Sequence, residues 1–225
     1  MVYAAVTPSP TDSRTLFGSR PIFSPGGSIK VIVDDFGWID YTLIPQQRDD
    51  IKNSIADWEA QGIAYGTYYA LQHLETSAGD DPDLAVALPT NLDGTTGSNF
   101  SIARQGALDY WIASGKLAID LGASYFFMDE AAGAISTLSF DSETVAAFNT
   151  YLTENHTAGE ISAFDIANVS NFDYANHLRA NGWLNSTQVQ NHPPTDALYK
   201  AWLAYMLSVE RNFFNQWTTQ LRAYG

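Results

Sequence analysis

Three short runs of β-branched and aromatic residues, at 29–33, 63–71 and 124–128, constrain this chain most. Each is long enough for a strand and too short for a buried helix. Between the first two, Ile51, Ile55 and Trp58 recur at i, i+4 and i+7, and the pattern stops at Gly62. That is one helical face closed by a C-terminal glycine. Between the second and third, residues 102–121 place Ala107, Trp111, Gly115 and Ala118 near one stripe and stop at Gly122. Strand, helix, strand, helix, strand is βαβ repetition. The predicted fold is therefore α/β, with the three runs as parallel neighbours.

Composition removes several function classes. Of 225 residues, 45% are apolar and 13% aromatic, which suits a packed globule rather than a disordered chain. Eleven basic against 25 acidic residues give a net charge of −14. That field repels a phosphate backbone and an anionic bilayer surface, so neither nucleic acid nor membrane is expected as a partner. No apolar run reaches the roughly 18 residues of a membrane-spanning helix. Cysteine is absent, which excludes disulfides, thiolate catalysis and Cys-based zinc sites. His156, His177 and His192 lack metal-ligand spacing and read as solvated, and no metal or cofactor is expected. Nucleophile-elbow, Walker, dinucleotide-binding, H-E-x-x-H and EF-hand patterns are all missing.

Residues 1–28 hold four of the nine prolines and show no sustained periodicity, so they read as an extended arm or linker. They lack the basic segment and apolar core of an intact signal peptide. They read equally as a trimmed leader, and localisation is left open with secretion slightly favoured. The four N-x-S/T sequons, at Asn99, Asn155, Asn168 and Asn185, are as many as chance gives a polar chain of this size and carry little weight. Residues 29–225 read as one barrel-like (β/α) domain, with a helical insertion over 139–225. Residues 84–88 are a weak fourth strand. In the insertion, helices are expected over 142–154, 172–181 and 196–223. The last carries Leu198, Trp202, Tyr205, Val209, Phe213, Trp217 and Leu221 along one seam, an aromatic pattern better suited to packing on a sheet than to a coiled coil.

In parallel α/β folds, chemistry collects where strands end. Here the three strands run into Asp34-Asp35, into Gln72-His73-Leu74-Glu75 and into Asp129-Glu130. Any one of these acids is as well explained as a helix N-cap. Three consecutive strands aiming carboxylates at one rim form a site candidate. After Tyr125-Phe126-Phe127-Met128, the small residues Ala131, Ala132 and Gly133 leave room beside Asp129 and Glu130. A carboxyl half-enclosed by aromatics has its pKa raised, as a general acid requires. Neighbouring strand residues point to opposite faces, so only one of the two acids meets a cleft. Asp35 is the candidate second acid. Asp34, Trp38, Tyr69, His73 and Glu75 are candidates for binding substrate. Trp38, Tyr68, Tyr69 and Trp183 present rings on which a sugar could stack, although core packing is the better reading of Tyr68 and Tyr69.

The order Gly62-Ile63-Ala64-Tyr65-Gly66, then Asp93-Gly94, then Gly122-Ala123-Ser124-Tyr125-Phe126-Phe127-Met128-Asp129-Glu130 resembles (β/α)8 glycoside hydrolases. It is closest in style to poorly characterised families whose central strand reads G-A-D-G-hydrophobic-hydrophobic-D-E. The helices from Phe140 to Leu152 and from Ala197 to Tyr224 are similar to a helical insertion in those proteins. Two departures stand out: Ser124 replaces the usual Asp, and three strong strands are far fewer than eight. The resemblance implies a partial or truncated TIM-barrel-like fold and a glycoside hydrolase acting on a poly- or oligosaccharide by carboxylate acid/base catalysis. The second carboxylate would come from Asp34, Asp35, Glu75, Asp129 and Glu130, or from another chain. The rival reading is a non-catalytic carbohydrate-binding or structural fragment. An incomplete barrel also leaves an open edge, so a homodimer completing the sheet is expected.

Overall fold

The computed structural model of the chain describes residues 2–5, 14–17, 29–33, 39, 43–70, 86–97, 100–129, 139–191 and 193–225. The chain divides into two compact units, residues 1–71, 108–131 and 214–225 in the first and residues 72–107 and 132–213 in the second.

The first unit is built on a sheet of β1 (Val2–Ala5), β2 (Arg14–Phe17), β3 (Ile29–Val33), β4 (Ala64–Ala70) and β5 (Tyr125–Asp129), in the order β1-β5-β4-β3-β2. Strands β2 to β5 are parallel and follow one another in sequence order, while β1 pairs antiparallel with β5. The three expected strands are thus parallel neighbours. Residues 1–28, expected as an arm, contribute two edge strands instead. At four residues each, these are too short for a period-2 pattern to stand out among prolines. No barrel closure is present among the described residues. On the side of β5 where a barrel's next parallel strand would pair, β1 pairs instead.

Helices α1 (Pro45–Glu59) and α2 (Gln105–Asp120) make the crossovers. Pro45 opens α1 with its fixed φ, and the Gln47 side chain accepts from the Ile44 amide at 3.0 Å. Both helices end alike. Gly62 has φ +73° and the Ile63 amide donates to Trp58 O at 3.0 Å; Gly122 has φ +110° and the Ala123 amide donates to Ala118 O at 2.8 Å. Only glycine adopts that left-handed turn without cost, and β4 and β5 begin two and three residues after these glycines.

Tyr65 and Tyr69, four apart in β4, share a face of the sheet. Trp58 of α1 stacks on Tyr65 with centroids 5.6 Å apart, and Trp111 of α2 lies 4.9 Å from Tyr69. The last turns of α7 (Ala197–Tyr224) bring Trp217 edge-on to Phe126 of β5 at 5.3 Å, with the indole N–H donating to Trp111 O at 2.9 Å. All three helices therefore pack on one face. The other face carries a separate cluster drawn from strands alone: Val31 and Phe127, with Ala64, Tyr68 and Tyr125 against them. Within it, a Cβ at Gly66 would meet the Phe127 ring at 2.8 Å, so that ring lies directly on the β4 backbone.

The second unit is mostly helical among its described residues, with turns and an isolated antiparallel bridge between Thr90 and Thr96 before the first of its helices. It holds α3 (Ser142–Asn155), α4 (Ala158–Ala163), a short 3-10 turn (Val169–Asn171), α5 (Tyr174–Ala180), α6 (Ser186–Asn191) and α7 up to Phe213. Its core is aromatic: Trp202 stacks on Phe140 at 5.6 Å and meets Phe148 edge-on at 4.8 Å, with Tyr174 and Tyr205 around them. The α7 seam residues are buried except Val209, which is half-buried; Leu198, Trp202 and Tyr205 pack among the helices of the second unit, and Trp217 packs on the sheet of the first. Residues 86–88, expected as part of a weak strand, form a turn. No described helix is long and apolar enough to cross a membrane.

Candidate functional site

β3, β4 and β5 are parallel neighbours whose C-terminal ends point the same way, but only β4 and β5 end level with each other; β3 ends four positions earlier, opposite Gly66 and, through it, Tyr125. Val33, the last residue of β3, is in register with Gly66, and Ala70 at the end of β4 is in register with Asp129 at the end of β5. Asp129 therefore ends its strand at the rim, two positions beyond Phe127. Asp34, Asp35, Trp38, His73, Glu75 and Glu130 lie outside the described residues, as does His192.

Tyr69 is the described member of the expected binding set, and it is a core residue. It is fully buried, its ring is covered by Trp111 at 4.9 Å and Phe126 at 6.2 Å, and its hydroxyl donates to Ile39 O at 2.8 Å. A ring enclosed in this way offers no face to a sugar. What Tyr69 does is hold Ile39, a few residues past the end of β3, from the helix-covered side. Tyr68, its neighbour, is half-buried and packs with Phe127 and Val31 on the opposite face. Trp183 is half-buried against the core of the second unit. His156 and His177, expected as solvated, are half-buried ring contacts, His156 with Tyr151 and Phe164 and His177 with Phe172 and Tyr174.

The most developed polar cluster among the described residues was not read as a site from sequence. Asp141, 8% exposed, caps α3 by accepting from the amides of Glu143 and Thr144, both at 3.0 Å. Its second oxygen accepts from the hydroxyls of Ser139 at 2.5 Å and Thr144 at 2.7 Å, and Arg104 is 2.7 Å from the first. Burial pushes this carboxyl up, but the two hydroxyls, the Thr144 amide and the Arg104 guanidinium outweigh it and hold the group below its ordinary value. Arg104 also donates to Val86 O at 3.0 Å, while Ser139 Oγ accepts from the Thr90 amide at 3.1 Å and the Phe140 amide donates to Thr90 O at 2.8 Å. Each lone pair of Asp141 is thus spent on the chain itself. A carboxylate so occupied ties segments 86–90, 101–104 and 139–144 together; it cannot exchange protons with a substrate without losing that tie. Its sequence signal was the Asp-Ser-Glu-Thr start of a helix, an N-cap pattern.

No group of three or more His, Asp and Glu side chains with metal-binding geometry occurs among the described residues. In comparisons with family models, curated proteins and solved structures, nothing matches this chain.

Proposed function

We propose that the chain is a carbohydrate-active α/β protein with a partial (β/α)-barrel-like unit, a glycoside hydrolase whose acid/base carboxyls stand at the rim of the β3-β4-β5 sheet. Asp129 or Glu130 protonates the glycosidic oxygen, and Asp35 or another rim acid serves as base or nucleophile. The observation that carries this reading is the winding. Strands β2 to β5 are parallel in sequence order, and among the described residues the helices that pack on the sheet, α1, α2 and the end of α7, lie on one face. A doubly wound fold puts helices on both faces and reverses its strand order at a switch point. Single winding with helices on one side is the local geometry of a (β/α) barrel, whose ligands meet the C-terminal strand ends. Release of reducing sugar from a panel of polysaccharides tests the reading. Turnover on one member supports it. Saturable binding without turnover points to a carbohydrate-binding module, and the absence of both binding and turnover leaves no carbohydrate function standing.

A further inference from the structure

Within the second unit, the end of α3, helix α4 and the first turns of α7 line a cleft of about 620 Å3. Rings form part of its lining: His156 lies edge-on to Tyr151 at 6.3 Å and to Phe164 at 5.2 Å. Ala197, Ala201 and Ala204 of α7, at i, i+4 and i+7, add an apolar stripe, and Ala163 extends it. Three polar side chains with charge or amide groups remain, Asn155, Glu160 and Lys200. Two of them are already engaged. The Asn155 amide donates to Tyr151 O at 2.9 Å. One Glu160 oxygen accepts from both the Thr157 amide and the Thr157 hydroxyl at 2.8 Å, and these bonds hold its carboxyl below the ordinary value. Lys200 is exposed, and its ammonium makes no ion pair or side-chain hydrogen bond among the described residues.

Lys200 is the charged side chain of the cleft with no side-chain hydrogen bond or ion pair among the described residues; Glu160 keeps its negative charge and takes its donors from Thr157, and much of the remaining surface is ring and methyl. We propose that the cleft binds a flat, largely apolar molecule carrying a single carboxylate, its body against the rings and the alanine stripe and its carboxylate on Lys200. A cationic ligand would meet Lys200, and a polyanion would meet the field of a chain with net charge −14. A single carboxylate pairs with the Lys200 ammonium as a charge-assisted contact while the body fills apolar space. The inference is independent of the hydrolase reading, since no rim residue lines the cleft.

The test is titration of the full chain with 2-naphthoate and with 2-naphthamide, which has the same shape without the charge. Saturable naphthoate binding, about tenfold tighter than the amide, is expected, and Lys200→Met should remove that preference. Ala204→Trp, a change at an exposed position of the lining, should abolish binding of both probes with the melting temperature retained. The proposal is overturned by an absence of saturable naphthoate binding up to about 5 mM. Equal binding of acid and amide overturns it as well, as does naphthoate binding that survives Ala204→Trp.

Discussion

The Arg104 guanidinium lies 2.7 Å from Oδ1 of Asp141, and this ion pair joins the start of α3 to the turn at Val86. Removing one partner leaves a charge buried or half-buried without compensation. Asp141→Ala should cost about 3 kcal/mol, more than Arg104→Met, because it also removes the N-cap of α3. Urea denaturation of the two variants and the double variant checks this. The double variant should cost clearly less than the sum of the singles.

The same carboxyl gives an acid limit. Burial raises it, but the hydroxyls of Ser139 and Thr144, the Thr144 amide and Arg104 lower it further, so its folded pKa lies below its ordinary value of 3.8. A group depressed in the folded state contributes stability that is present above its unfolded pKa and is lost as pH falls through the folded one. Urea midpoints measured from neutral pH down into the acid range should show the parent losing its advantage over Asp141→Asn below the unfolded value. A constant gap between the two would contradict this cause.

At the alkaline end the sign reverses. Burial raises the phenols of Tyr174 and Tyr205, so their neutral forms stabilise the second unit below the ordinary value of 10.0 and that stability is lost as pH rises above it. The Tyr174 hydroxyl is buried with no hydrogen-bond partner. Tyr174→Phe should therefore be neutral or stabilise by up to about 1 kcal/mol at neutral pH, and it should flatten the alkaline loss seen by denaturation.

In the first unit, a Cβ at Gly115 of α2 would meet Leu221 of α7 at 2.6 Å. Gly→Ala inside a helix ordinarily gains up to about 1 kcal/mol. Leu221 is 1% exposed and has nowhere to retreat, so Gly115→Ala should destabilise instead. Pairing it with Leu221→Ala should recover part of that loss, read as the shift in melting temperature against Leu221→Ala alone.

The elements that read clearly from sequence are those whose ends are punctuated. Gly62 and Gly122 mark helix stops by a backbone conformation other residues resist, and both strands that follow are where the periodicity places them. The edge strands β1 and β2 were not legible, because their pairing is set by partners across the sheet, β5 and β3, rather than by their own pattern. The division of α7 was hidden for a related reason. Trp202 and Trp217 occupy equivalent places on one seam, yet Trp202 packs on Phe140 and Trp217 on Phe126. At the rim, the order of strand ends was legible, but Tyr69 was not separable from a binding residue until its hydroxyl was seen on Ile39 O. The helix beginning at 142 was legible, but neither its cap at Asp141 nor the pairing of that residue with Arg104, 37 positions away, was read from sequence.

The hydrolase reading stands or falls with the acids that end β5. The deciding measurement is the rate of polysaccharide hydrolysis by Asp129→Asn and by Glu130→Gln, each beside its melting temperature. At least one variant should lose 100-fold or more of the parent rate, roughly the low end for removal of a general acid, while melting within a few degrees of the parent. If both variants hydrolyse at the parent rate, the acid assignment is wrong, and if both unfold, the two acids are structural.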